Sequence, residues 1–171
     1  MNEKEYYMEE ALREAKKAFD KLEIPVGAVI VKDGKIIARA HNQKEGKKDT
    51  TKHAEIIAIQ KASKKLESWR LLDCDMYVTL EPCAMCAGAL IQARVRNLYI
   101  GTTDEKTGAC GSVLNLLEDY PFNHKVKVEK GICQEACEEM LKTFFKTLRE
   151  LKKMERYRSG HNEADSKSVS Q

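Results

Sequence analysis

The stretch DMYVTLEPCAMCAGALIQA, residues 75–93, changes character twice along its length. Asp75 to Leu80 is rich in β-branched, aromatic and other apolar side chains, the composition of a strand. From Ala84 onward the residues are small and apolar, so a helix here can pack close to a sheet. Between the two stand Glu81, Pro82 and Cys83, and Pro is favoured near the first turn of a helix. The stretch therefore reads as strand, short connection and helix, a unit of an open α/β sheet. It places Cys83 at the strand's C-terminal end, where ligand sites of such sheets lie. Cys83 and Cys86 are three apart and share a helix face. A helix N-terminus also favours thiolate over thiol through its partial positive charge and free N–H groups.

A partner for the two sulfurs lies upstream, in His53-Ala54-Glu55. Asp49, Thr50 and Thr51 are capping-type residues, and the run AEIIAIQKASKKL is helical in composition, so His53 falls where a helix begins. The inventory is one imidazole, two thiols and a spare carboxylate. Structural zinc sites usually close with four protein ligands, whereas catalytic sites keep three and leave the fourth position to water. A carboxylate beside such a site can carry the proton. His53 and Glu55 are two apart, so both reach one pocket only if His53 lies at the irregular start of the helix. Two other readings of Cys-x-x-Cys are a closed zinc knuckle and a redox pair. The first needs a fourth ligand that neither motif has beside it, and the second leaves His-Ala-Glu without a purpose.

H-x-E followed by P-C-x-x-C resembles the signature of the zinc-dependent cytidine/adenosine deaminase superfamily. The stretches LEIPVGAVIV, HAEIIAI, YVTLEPCAMCAGAL, DEKTGACGS and FNH are similar to the bacterial tRNA-specific adenosine deaminases. The metal motif carries the superfamily. The combination of EPCxMCAGA, KTGAxGS and a late Asn-His carries the tRNA branch, and the similarity covers residues 3–150. It implies one Zn2+ per subunit held by His53, Cys83 and Cys86, with water as the fourth ligand and Glu55 as the catalytic proton carrier. It implies hydrolytic deamination of adenosine to inosine at the wobble position of an arginine tRNA. The base must be splayed from the anticodon stem-loop to reach a compact pocket. On the substrate side it implies Asn42 against the purine ring, Asp104 and Lys106 beside the RNA entry, Asn123 as a further substrate-side residue, and Phe145 near the anticodon loop. It also implies a homodimer.

Composition sets the frame. A chain of 171 residues with 42% hydrophobic and 33% charged residues suits one soluble globular domain. No apolar run approaches the roughly 20 residues of a membrane span, and MNEKEYYMEEALREAKK lacks the apolar core of a signal peptide. The expectation is a cytoplasmic protein, and six cysteines lack the density of a disulfide scaffold. Net charge is only +3. Its distribution says more: Lys142, Lys146, Arg149, Lys152, Lys153, Arg156 and Arg158 outweigh Glu150 and Glu155 on one C-terminal segment, which suits a phosphate backbone.

In order, residues 3–22 predict a helix with Met8, Leu12, Ala15, Phe19 and Leu22 as its buried stripe. Residues 26–32 and 35–41 predict a hairpin about Asp33-Gly34, and His41 reads as a loop histidine. Helices follow at 54–66 and 84–94 and strands at 75–80, 97–101 and 125–130, with a turn-rich loop over 102–112. The last helix is expected over 134–158. Cys133 and Cys137 read as buried thiols. Residues 159–171 have no apolar content to pack and are expected to be a disordered tail. The resulting fold class is α/β: a five-stranded mixed sheet between helices, the three-layer cytidine-deaminase-like fold, in a single deaminase domain over 1–158.

Three rivals remain from the sequence. A free-base or nucleoside deaminase (guanine, cytosine or cytidine) shares zinc, Glu and fold but needs no basic C-terminal helix. A deaminase domain of pyrimidine or riboflavin biosynthesis would bring a second domain. A zinc-stabilised RNA-binding module would not need Glu55.

Overall fold

Side chains along β1 (Gly27–Lys32) alternate between two cores, as the period of two in a strand requires. Ala28 and Ile30 join one apolar cluster, Val29 and Val31 the other. The same division runs through β3 (Cys74–Leu80), where Met76 and Val78 face one way and Tyr77 the other. A sheet that is apolar on both faces needs cover on both, and the chain supplies it. In this computed structural model, which describes residues 1–168, α1 (Glu3–Asp20) and α5 (Gln134–Ser168) supply Tyr7, Met8, Ala11 and Cys137 to one core. Helices α3 (Ala54–Leu66) and α4 (Ala84–Gln92) supply Ile57, Ala58, Ala87 and Leu90 to the other. The three layers are those expected.

Strand order is β2-β1-β3-β4-β5, with β2 at Lys35–His41, β4 at Asn97–Thr102 and β5 at Lys127–Lys130. The β1–β2 and β1–β3 pairs are antiparallel, and the β3–β4 and β4–β5 pairs are parallel. A bulge between Ile30 and Val31 interrupts the hairpin register. Because β1 runs against its neighbours, its start lies beside the ends of β2 and β3. Gly27 pairs with His41, and its N–H donates to Thr79 Oγ1 at 3.1 Å. Leu80 pairs with Thr102. One end of the sheet thus collects Val26, His41, Leu80 and Thr102.

Four differences from the sequence expectations have physical causes. Helix α1 lies on the sheet by Tyr7, Met8, Ala11, Ala15 and Ala18, while Leu22 stands 48% exposed beyond its end. A Cβ on Gly27 would fall 1.9 Å from the Ala11 carbonyl oxygen, so helix and strand backbones nearly touch and small side chains win the contact. Strand β5 begins at Lys127 rather than 125. The preceding chain is pinned through His124, whose Nε2 donates to the Val95 carbonyl at 2.7 Å. His41 ends β2 and is buried, with Nδ1 3.3 Å from Glu14 Oε1. Helix α5 continues past Arg158 to Ser168, where a disordered tail was expected; no proline interrupts the run. Residues 169–171 lie outside the described residues. A short helix, α2 (Lys44–Lys47), forms within the polar loop before α3.

Candidate metal centre

His53 occupies the N-cap of α3 and Cys83 the N-cap of α4, both with extended backbone. Each gives its carbonyl to the first intrahelical bond, from Ile57 N–H at 3.1 Å and Ala87 N–H at 2.8 Å. Neither spends its side chain on capping. For α3 the cap bond comes from elsewhere: Asn42 Oδ1 accepts the Ala54 N–H at 2.8 Å. Asp49, expected among the capping residues, instead closes its own turn on the Thr51 N–H and hydroxyl. The non-helical φ and ψ of His53 (−79°, 149°) let it and Glu55 serve one site although they are two apart.

His53 Nδ1 lies 3.7 Å from Cys83 Sγ and 3.5 Å from Cys86 Sγ. All three donor atoms fall within 4.8 Å of one another, the one such cluster among the described residues. A tetrahedral zinc ion with its usual bond lengths spaces sulfur from nitrogen by about 3.6 Å. The observed separations match that spacing, and a His/Cys/Cys donor set suits zinc. The bond from Cys86, helped by the imidazole, holds the Cys83 thiol down at about 4. The same bond and burial push Cys86 far up, and the bond to Cys83 raises His53 above its ordinary value. Cation binding deprotonates such a set and releases protons. Glu55 is 4% exposed, and burial raises its carboxyl above the usual range.

His53, Glu55 and Cys83 line a cleft of about 660 Å³, with Cys86 buried behind them. Asn42 and Asp104 line it, as do Phe144, Phe145, Leu148 and Lys152 of α5. The two phenylalanines divide as one helical step requires. Both reach the cleft, but Phe144 is 2% exposed and its ring meets Phe19 at 5.5 Å, whereas Phe145 is 41% exposed. Asn42 has committed its Oδ1 to Ala54, which leaves the Nδ2 donor for a ligand. The Asp104 carboxylate accepts the Lys106 N–H, the Thr107 N–H and the Thr107 hydroxyl. Lys106 and Asn123 are exposed and stand outside the cleft lining.

Two buried carboxylates were not singled out from the sequence. Glu23, 4% exposed, accepts the Glu45 and Gly46 N–H groups and so holds α2 beside the cleft. Glu81, 3% exposed, binds the loop that carries Asp104. Burial works against its charge, yet the Ser112 hydroxyl and three backbone N–H groups keep its carboxyl below the usual range. No spacing rule reveals either residue, because their partners lie 22 to 31 positions away.

The family described as MafB19-like deaminase matches residues 1–149. A tRNA-specific adenosine deaminase of Bacillus subtilis is 48% identical over 156 residues, covering 91% of this chain and 97% of its own length. The tRNA-specific adenosine deaminase of Aquifex aeolicus is 49% identical over 146 residues, with 85% and 96% covered. A solved structure from a study of A-to-I editing by tRNA:A34 deaminases at the wobble position of transfer RNA is 43% identical. It superposes with a TM-score of 0.77, covering 80% of this chain and 99% of that one.

Proposed function

This chain belongs to the MafB19-like deaminase family, among the tRNA-specific adenosine deaminases, and on that premise we propose that it deaminates adenosine to inosine at wobble position 34 of tRNA. The observation that carries the chemistry is the cluster of His53, Cys83 and Cys86 at a cleft that His53, Cys83 and the buried Glu55 line together. We assign the ligand role to His53, Cys83 and Cys86, the proton-carrying role to Glu55, and the metal as zinc. Bound there, zinc would lower the pKa of water toward neutrality. Glu55 would take the proton from the attacking water and deliver protons to the ring nitrogen and the departing ammonia. Asn42 Nδ2 would donate to the purine, and helix α3 would hold that amide still through the Ala54 bond.

The cleft is much larger than one base and ends on a basic helix, which favours a base presented on RNA. Phe145 offers a face for stacking, and Lys152 a charge for a phosphate. Asp104 can accept a 2′-hydroxyl, while Lys106 and Asn123, outside the cleft, would meet flanking nucleotides of the anticodon stem-loop. We take residues 1–158 as one deaminase domain that works in the cytoplasm; no described helix is long and apolar enough to cross a membrane. We assign a homodimer on family grounds. The outward face of α4 (Ala84, Met85, Gly88, Ala89) supports it, since it carries no charge.

The test is inosine formation on an arginine tRNA anticodon stem-loop with adenosine at the wobble position, with free adenosine, cytidine and guanine in parallel. Inosine on the stem-loop alone is the expected result. Reaction of a free base or nucleoside without the stem-loop would overturn the RNA assignment and leave the deaminase chemistry standing.

A further inference from the structure

Glu81 is the last residue before the metal loop Pro82–Cys86 and lines the same cleft, but its carboxylate is spent on the loop after β4. Its Oε1 accepts the Asp104 N–H at 3.2 Å and the Ser112 hydroxyl at 2.6 Å. Its Oε2 accepts the Cys110 N–H at 3.0 Å and the Ser112 N–H at 3.2 Å. One side chain thus gathers both ends of the loop after β4. The neighbouring backbone adds a fifth tie, from Ala109 N–H to the Pro82 carbonyl at 2.9 Å. The loop is shaped to receive the carboxylate: a Cβ on Gly108 would fall 2.2 Å from Glu81 Oε2. A buried charge is costly unless its hydrogen bonds are complete. Four donors on an acceptor-only group complete them.

The loop in question carries Asp104 and Thr107 to the cleft. Asp104 is held at its backbone by Glu81 and turns its own carboxylate onto Thr107. Cys83 lies two residues beyond Glu81 in the chain. We propose that Glu81 is a positioning residue that fixes the Asp104–Thr107 wall relative to the metal ligands, so that a bound base and the ligand set keep one spacing. The proposal rests on the deaminase reading above and assigns Glu81 no contact with the reacting atoms.

Glu81→Gln keeps the shape but turns one acceptor into a donor. Whichever way the amide lies, two of the four donors then face an NH2 group. Amide hydrogen exchange at Asp104, Cys110 and Ser112 should speed up about tenfold or more, with zinc content unchanged. On the wobble stem-loop, KM should rise about tenfold while kcat stays within about threefold. Ser112→Ala removes one donor without disturbing the charge and should move both readouts the same way by less. Added to Glu81→Gln, it should contribute little beyond the single change. Unchanged exchange and KM with only a lower melting temperature would overturn the proposal, as would zinc loss with a parallel fall in kcat. If the wild-type protein formed no inosine, only the functional reading would fall. Exchange would then decide the positioning role, lost protection with zinc retained supporting it and intact protection overturning it.

Discussion

A side chain at an N-cap ordinarily satisfies its own helix, and His53 and Cys83 do not. Their freedom leaves both donors available to a shared ion. Cys86→Ser should therefore lose the metal. A neutral hydroxyl is a far poorer zinc ligand than a thiolate, and zinc per chain, measured by atomic absorption after dialysis, should fall below about one-tenth. Glu55→Ala should behave oppositely, keeping zinc while turnover on the stem-loop falls by about 10²–10⁴-fold. On the proposed assignment two thiolates would temper the Lewis acidity of the ion, so a proton carrier would matter more than among three neutral imidazoles. The clustering of His53, Cys83 and Cys86 was legible because short spacings along the chain set their donors at two helix starts. The Asn42 bond to Ala54 and the four bonds to Glu81 were not. They join residues brought together only by the sheet, and each polar side chain taken alone reads as turn chemistry.

At the scale of elements, the sequence placed the strands and the central helices because their apolar periods are strong. It read Met8 and Ala15 of the buried stripe of α1 correctly but carried the stripe on to the exposed Leu22 and passed over Ala11, where the closeness of Gly27 favours alanine over larger residues. That closeness brings the acidic side of α1 against β2. Glu14 is bonded by Lys17 and by His41, and these bonds outweigh burial to hold its carboxyl below the ordinary value of 4.5. A carboxyl depressed by folding adds stability above its unfolded pKa and loses that contribution as pH falls through the folded one. The melting-temperature gap between wild type and Glu14→Gln should therefore be largest near neutral pH and close steadily below about pH 4.5. A gap that stayed constant down to pH 3 would show that Glu14 acts by packing alone. The last helix illustrates the other limit. Phe144 and Phe145 were indistinguishable by composition, and one step of helical rotation buries the first and leaves the second exposed.

Across the whole molecule, the hairpin was legible from Asp33-Gly34, but the order β2-β1-β3-β4-β5 was not, since strand order is a property of crossovers rather than of any single segment. That order puts Asn42, Glu81, Cys83 and Asp104 around one end of the sheet. The opposite end holds the Asp33-Gly34 turn, where Lys32 pairs with both Lys35 and Cys74. About six residues of strand, roughly 20 Å, separate the two. A Cβ on Gly34 would meet nothing within 4 Å. An exposed turn of this kind tolerates insertion. A short Gly/Ser segment placed between Asp33 and Gly34 should leave kcat/KM on the stem-loop within about threefold, whereas the same segment between Asp104 and Glu105 should abolish activity. Tolerance at the Asp33-Gly34 turn would make it a handle on the protein, a strand's length from the chemistry. A cargo protein fused there would ride on the blunt side of the molecule, clear of incoming RNA.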